Sequence, residues 1–349
     1  MNLWKNIQIR ITFFVFILCC IPFGLNLLGF DFSSDTVPFS SLTFAHGEIT
    51  VEDFFHVLKG ASHHALLEWS AVCVALIAAL SYFLHYSVRR DVTVPIIGMA
   101  LVCAGFVDTF HTLAAMRLIQ AEAPNMDFIP FTWALSRIFN ASIIIIGASI
   151  SLWITRQSVE RAGVTREKIT RLHSLSTLLF ISVIFIVIAY SVVHWAAVSA
   201  ELPKTMYPNA LVTRPFDLLP LALFLFGGTL FSIWYRQKPS IIKFALILSI
   251  IPEVATQLHM TFGSVALFDN HFNIAHALKV FAYSIVLIGV LLDLVKNTSV
   301  HKAEGAIFET GKRYFDFKGK AQKDMLDVGK ASRPMGAVSY THLTLPTKA

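Results

Sequence analysis

Ionisable side chains are rare inside the apolar stretches of this chain, and where they occur they recur at helical spacing. His64 and Glu68 stand at i,i+4; Asp108 and His111, Arg137 and Asn140, and His276 and Lys279 stand at i,i+3; Glu253 and Gln257 stand at i,i+4, with His259 close behind. Residues so spaced share one face of a helix, so each pair is presented together. Imidazole beside carboxylate can take up or pass a proton near neutral pH, bind a ligand, or hold a metal. The same residues can instead pair buried charges and fix helix packing, for instance Arg137 with Asp108 or Glu68. No HExxH, no DxD and no two histidines four apart occur, so no metal or haem is expected. Ligand or proton sensing and structural pairing both stay open.

The elements that must carry these residues are membrane spans. Hydrophobic residues make up 55% and charged residues 14% of the 349 positions, with 30 Phe. Mean hydropathy is +0.65. Ordinary globular domains are about one-quarter charged, so the solvent for this chain is a bilayer. Apolar stretches at roughly 11–30, 65–86, 93–115, 131–154, 172–195, 215–235, 240–262 and 273–295 each approach the ~20 residues a crossing helix needs. The fold class expected is therefore an all-α integral membrane bundle of about eight transmembrane helices.

Lys and Arg set its orientation. Lys5, Arg10, Arg89, Arg90, Arg156, Arg161, Arg166, Lys168, Arg171, Arg236, Lys238 and Lys243 fall at one set of span ends. Lys59, Arg117, Lys204 and Arg214 fall at the other. This bias and the even span count both place the two termini in the cytoplasm. The net charge of +6 is explained by these short loops, and no nucleic-acid partner is expected. On this topology His64, Glu68, Asp108, His111, Arg137, Asn140, Glu253, His276 and Lys279 all lie toward the outer ends of their spans. Buried ionisable residues of this kind mark a pathway or ligand site. The first span lacks a small-residue cleavage pattern and reads as an anchor, not a signal peptide.

Other features have plainer readings. Cys19, Cys20, Cys73 and Cys103 fall in apolar stretches as small core residues. Trp69, Trp133, Trp153, Trp195 and Trp234 lie near span ends and read as interface anchors, and the Phe-rich run 11–16 reads as lipid-facing. In the long outer loop, Thr50 and Asp53 can cap a short helix with Val51, Phe54, Phe55 and Leu58 on one face, stopped by Gly60. That helix would lie in the outer interface.

The ordered motifs His64-x-x-x-Glu68-Trp69-Ser70, Asp108-x-x-His111-Thr112-Leu113, Arg137 and Asn273-x-x-His276-x-x-Lys279-x-x-Ala282-Tyr283 resemble the third type of bacterial membrane-associated sensor (MASE) domain. The likeness covers roughly residues 45–296. It implies the sensory input region of a bacterial inner-membrane signalling protein, placed before a histidine kinase, a diguanylate cyclase or a PAS module. It does not imply a particular stimulus: a small ligand, a proton or a lipid would each fit. Such proteins often signal as homodimers.

The domain layout expected is an N-terminal anchor over 1–30, a periplasmic loop with its interfacial helix over 31–64, a seven-helix sensor over 65–295, and a cytoplasmic juxtamembrane linker over 296–337. The linker holds nine Lys/Arg against five Asp/Glu, and Gly305, Gly311, Gly319, Gly329 and Gly336 interrupt any heptad. His301 lacks the surroundings of a phospho-acceptor, and no GGDEF or nucleotide-binding glycine cluster occurs, so no catalytic activity of its own is expected. Residues 338–349 resemble the translation of a sequencing adapter, which would have replaced an output domain. Two rival readings remain: a small-molecule or ion transporter, which would want midplane polar residues and broken helices, and a membrane metalloenzyme.

Overall fold

The computed structural model describes residues 2–34, 51–89, 91, 93–160 and 175–331 of the chain. Among these there is no strand. The helices are α1 (Asn2–Leu27), α2 (Val51–Arg89), α3 (Thr93–Ala115), α4 (Asn125–Glu160), α5 (Leu175–Val198), α6 (Leu218–Gln237), α7 (Ile241–Leu258) and α8 (Asn270–Ala331). A 3-10 turn, Pro215–Asp217, precedes α6, and a π turn, His259–Gly263, closes α7. Each helix contains a segment long and apolar enough to cross a membrane. The chain divides into two compact units, Met1–Leu294 and Val295–Ala349. The first holds α1–α7 and the apolar part of α8; the second holds the remainder of α8.

Local sequence explains the helix ends that frame the site. Gly29, at φ +89°, ends α1: Phe30 N–H bonds to Leu25 C=O at 3.1 Å and Gly29 N–H to Asn26 C=O at 3.0 Å. These are the two bonds of a Schellman cap, which favours glycine in the left-handed region. Asp269 caps α8 by accepting from Phe272 N–H at 2.7 Å, and Ser240 caps α7 by accepting from Lys243 N–H at 3.2 Å. Both place a short polar acceptor over the free N–H groups of a first turn.

Inside the first unit α3 is the central helix, packed on α2, α4 and α5; α4 also meets α6, and α6 meets α7. The buried stripe of α2 runs His64, Glu68, Ala71, Ala75, Ala78, Ala79 and Tyr82, and its small residues let the neighbours approach. Gly98 of α3 belongs to the same contact, since a Cβ there would lie 2.8 Å from Tyr82 Cβ. Gly289 of α8 meets Ala245 of α7 in the same way. Small residues at interfaces replace the hydrophobic effect as the means of close packing among membrane helices. The outward surface is apolar, with Phe13, Phe14, Phe16, Phe180 and Phe226 all exposed. An apolar face of this kind is compatible with contact to lipid. At the far end of α2 from His64, His85 Nε2 lies 2.8 Å from Asp293 Oδ2.

Several expectations need correction. The separate interfacial helix does not form: α2 runs unbroken from Val51, and Gly60 is buried within it. One glycine costs a helix only about 1 kcal/mol relative to alanine, too little to stop it between Lys59 and Ala61. Thr50, its proposed cap, lies outside the described residues, as do the tail 338–349 and the basic loop containing Arg161 and Arg171. Trp153 and Trp195 are exposed, but Trp133 and Trp234 are only 1% exposed and belong to the core. Cys19 and Cys103 are buried as expected, whereas Cys20 and Cys73 face outward; all four are free thiols.

Candidate functional site

Five helices bring one polar side chain after another to a common point. Asp269 caps α8, and its next turns carry Asn273, His276, Lys279 and Tyr283 inward. The buried stripe of α2 supplies His64 and Glu68, the last turns of α3 supply Asp108 and His111, the early turns of α4 supply Trp133, Arg137 and Asn140, and α7 supplies Glu253. The nine candidates His64, Glu68, Asp108, His111, Arg137, Asn140, Glu253, His276 and Lys279 are all buried. His64, Glu68 and Lys279 lie roughly two and a half to five helical turns, or about 13–26 Å, from the starts of their helices at 1.5 Å per residue.

The contacts form a chain. His64 Nε2 lies 3.1 Å from His276 Nε2, which lies 3.3 Å from Glu68 Oε1. Lys279 Nζ donates to Glu68 Oε2 at 2.8 Å and pairs with Asp108 Oδ1 at 3.1 Å. The Tyr283 hydroxyl donates to Asp108 Oδ2 at 2.8 Å and accepts from Asn140 Nδ2 at 2.7 Å. His111 stands beside this chain, its ring centroid 5.6 Å from that of His64. Arg137 pairs with Glu253, not with Asp108 or Glu68 as its sequence position suggested. Lys279, one turn beyond His276 on α8, has taken both of those carboxylates.

Trp133 joins the two parts. Its ring packs on that of His276 with centroids 4.3 Å apart, carries Lys279 Nζ at 5.2 Å and lies 5.7 Å from the Arg137 guanidinium. Cations over an indole face gain from its quadrupole, the more so away from water. The indole Nε1–H donates to Asp217 Oδ1 at 3.0 Å, and Asp217 pairs with Arg214 at 3.1 Å. Burial pulls the Arg214 guanidinium below its ordinary value, opposed by Asp217 and Asp269. Trp133, Asp217, Arg214 and Tyr283 were not among the expected site residues. A Trp near a span end reads as an anchor, and only the rotation of α4 shows that it faces inward.

The pocket is closed from above. Asn273 Nδ2 donates to Phe32 C=O at 2.8 Å and to Ser34 Oγ at 3.0 Å, so the segment after α1 is tied across the start of α8. Ser34 Oγ also lies 2.9 Å from His63 Nδ1, and Phe268 and Phe272 cover His64 with ring centroids at 6.0 and 5.1 Å. Beside Glu253 and Tyr283 there is a cavity of about 20 Å³. That is room for about one water and none for an organic molecule. A far larger groove, about 710 Å³, lies elsewhere, between α1 and α7, and is lined by apolar residues with His259 and His271 at one end.

What this arrangement can do is hold or exchange small ions. Four of its side chains, His64, Glu68, His111 and His276, bring one ligand atom each to within 4.8 Å of one another. His259, also noted from spacing, turns to His271 instead, and the Gln257 amide is buried with no hydrogen-bond partner among the described residues. No protein-family model, no curated protein and no solved structure matches this chain.

Proposed function

We propose that this chain is the membrane-embedded sensory input region of a signal-transduction protein of the histidine kinase or diguanylate cyclase type, reading a small ion in its closed polar core. One observation carries this: His276 and Lys279, the residues of α8 at the centre of the core, are gripped by side chains of three other helices. Glu68, Asp108, His64 and Trp133 grip them from α2, α3 and α4. Any change in the charge of that core acts on α8 directly, and α8 is the helix that runs on to Ala331. An ion that binds one arrangement of these helices better than another shifts the balance between them by that difference alone.

The split of basic residues supports a topology with both termini on the cytoplasmic side of a bacterial inner membrane, which puts the core toward the outer face and its output inside. The four converging ligand atoms of His64, Glu68, His111 and His276 favour an ion over a metabolite or lipid. With an output module fused in frame after the chain, Glu68→Gln and His111→Gln should change its output while inserting as well as the parent. Unchanged output from both variants overturns the reading. Accumulation of a solute by proteoliposomes carrying the chain would favour a transporter instead.

A further inference from the structure

We propose that His64, Glu68, His111 and His276 bind a single divalent transition-metal ion of the zinc type. The proposal names the ion that the sensory reading leaves open, and rests on that reading for its biological meaning but not for the site itself.

Hydrogen bonds outside the cluster fix two of the three imidazoles. His276 Nδ1 lies 2.7 Å from the Phe272 carbonyl oxygen, which can only accept, so the ring hydrogen sits on Nδ1. Nε2 of the neutral ring then carries a lone pair. The Thr132 hydroxyl donates its one hydrogen to Ile129 C=O at 2.9 Å. Its oxygen therefore accepts from His111 Nδ1 at 2.9 Å, and His111 Nε2 is likewise a lone pair, buried with no hydrogen-bond partner. A carbonyl or hydroxyl behind the distal nitrogen is the usual support of a metal-bound histidine.

Both lone pairs belong to nitrogens of the four-residue cluster. His276 Nε2 points at Glu68 Oε1, 3.3 Å away, and at His64 Nε2, 3.1 Å away. Lys279 Nζ lies nearer to Oε2, at 2.8 Å, than to Oε1, at 3.2 Å, and Oε1 is the oxygen beside His276. Bonds of about 2.0–2.1 Å to a tetrahedral ion place neighbouring ligand atoms about 3.3 Å apart. The His64–His276–Glu68 distances already meet that spacing, and His111 closes the set from within 4.8 Å. Three imidazoles and one carboxylate suit zinc or a neighbouring first-row ion over magnesium or calcium.

Charge agrees. The buried core holds four carboxylates, Glu68, Asp108, Asp217 and Glu253, against three cations, Arg137, Arg214 and Lys279. One negative charge is left over in a place where an unbalanced charge is costly, and a bound cation cancels it.

The test uses the full chain purified in detergent, stripped with a chelator and titrated with Co²⁺, then with Zn²⁺. The expected result is one Co²⁺ per chain with the visible absorption of a tetrahedral N/O site, bleached by Zn²⁺. His276→Ala and His111→Gln should each lower Co²⁺ affinity at least tenfold with helicity unchanged, and His259→Ala should leave it unaltered. If His276→Ala fails to fold, His111→Gln, which keeps most of the side-chain volume, decides. No Co²⁺ bound by the parent, or unchanged affinity in His111→Gln, overturns the site. Stoichiometric zinc without effect on a fused output module would keep the site and sink the sensory reading. An output module that responds to mutation of the core but never to zinc would do the reverse.

Discussion

Two histidine pairs in this protein look alike and differ in everything around them. His259 and His271 meet Nδ1 to Nδ1 at 2.8 Å, half-buried at the end of the apolar groove beside α1, with no carboxylate in contact. His64 and His276 meet Nε2 to Nε2 at 3.1 Å, buried, with Glu68 at 3.3 Å and a third imidazole beside them. The first pair can share one hydrogen between two neutral rings and needs nothing more. In the second, the hydrogen of His276 is spoken for by Phe272, and a carboxylate joins the acceptors. The lesson is that proximity of histidines says little. What lies behind the far nitrogen, and what charge lies in front, decides whether a pair is packing or a site.

Substitutions can break that contrast, beginning with the largest effect. Glu68→Ala removes a ligand and leaves Lys279 to Asp108 alone of its two carboxylates, and losing one partner of a buried ion pair costs about 3–5 kcal/mol. Unfolding in detergent should show this loss, and a variant as stable as the parent would mean that Glu68 is not the counter-charge. Thr132→Val spares every ligand but frees His111 Nδ1; loss of such a supporting bond lowers metal affinity roughly 10–100-fold. Metal titration checks it, and equal affinity would mean that Thr132 does not fix the tautomer. Tyr283→Phe takes one hydroxyl from between Asp108 and Asn140, for which about 1–3 kcal/mol of stability is expected. Smallest of all, His271→Ala should cost under about 1.5 kcal/mol, the net worth of one hydrogen bond, and change no metal affinity. A large effect there would erase the distinction between the pairs.

A second contrast shows why the site was only partly legible. The spans of α1 and α3 have equal length, yet 11% of the first is buried against 78% of the second. Apolar residues serve equally well against lipid and against protein, so hydropathy cannot tell a peripheral helix from a central one. The polar residues can: α3 carries Asp108 and His111, and α1 carries its charges, Lys5 and Arg10, only at one end. Spacing thus picked out nine residues of the buried core, because the period of a helix is a local property. It misassigned the partner of Arg137 and the place of Trp133, because partner choice depends on helix rotation and on which neighbour arrives first. Gly60 was misread as a stop since a single glycine is a weak signal against the many neighbouring helix formers of a 39-residue helix.

By itself, then, the chain's order of residues determined a bundle of eight apolar helices and the ionisable pairs each would carry on one face. Those follow from chain-local facts: the length of apolar runs, the 3.6-residue period and the cost of charge away from water. Only the tertiary structure decided that Lys279 takes both Glu68 and Asp108, that Trp133 turns inward, and that three imidazole nitrogens and a carboxylate oxygen face one another. Those depend on distances between helices far apart in sequence, which close packing of Gly98 on Tyr82 and Gly289 on Ala245 sets and no local pattern records.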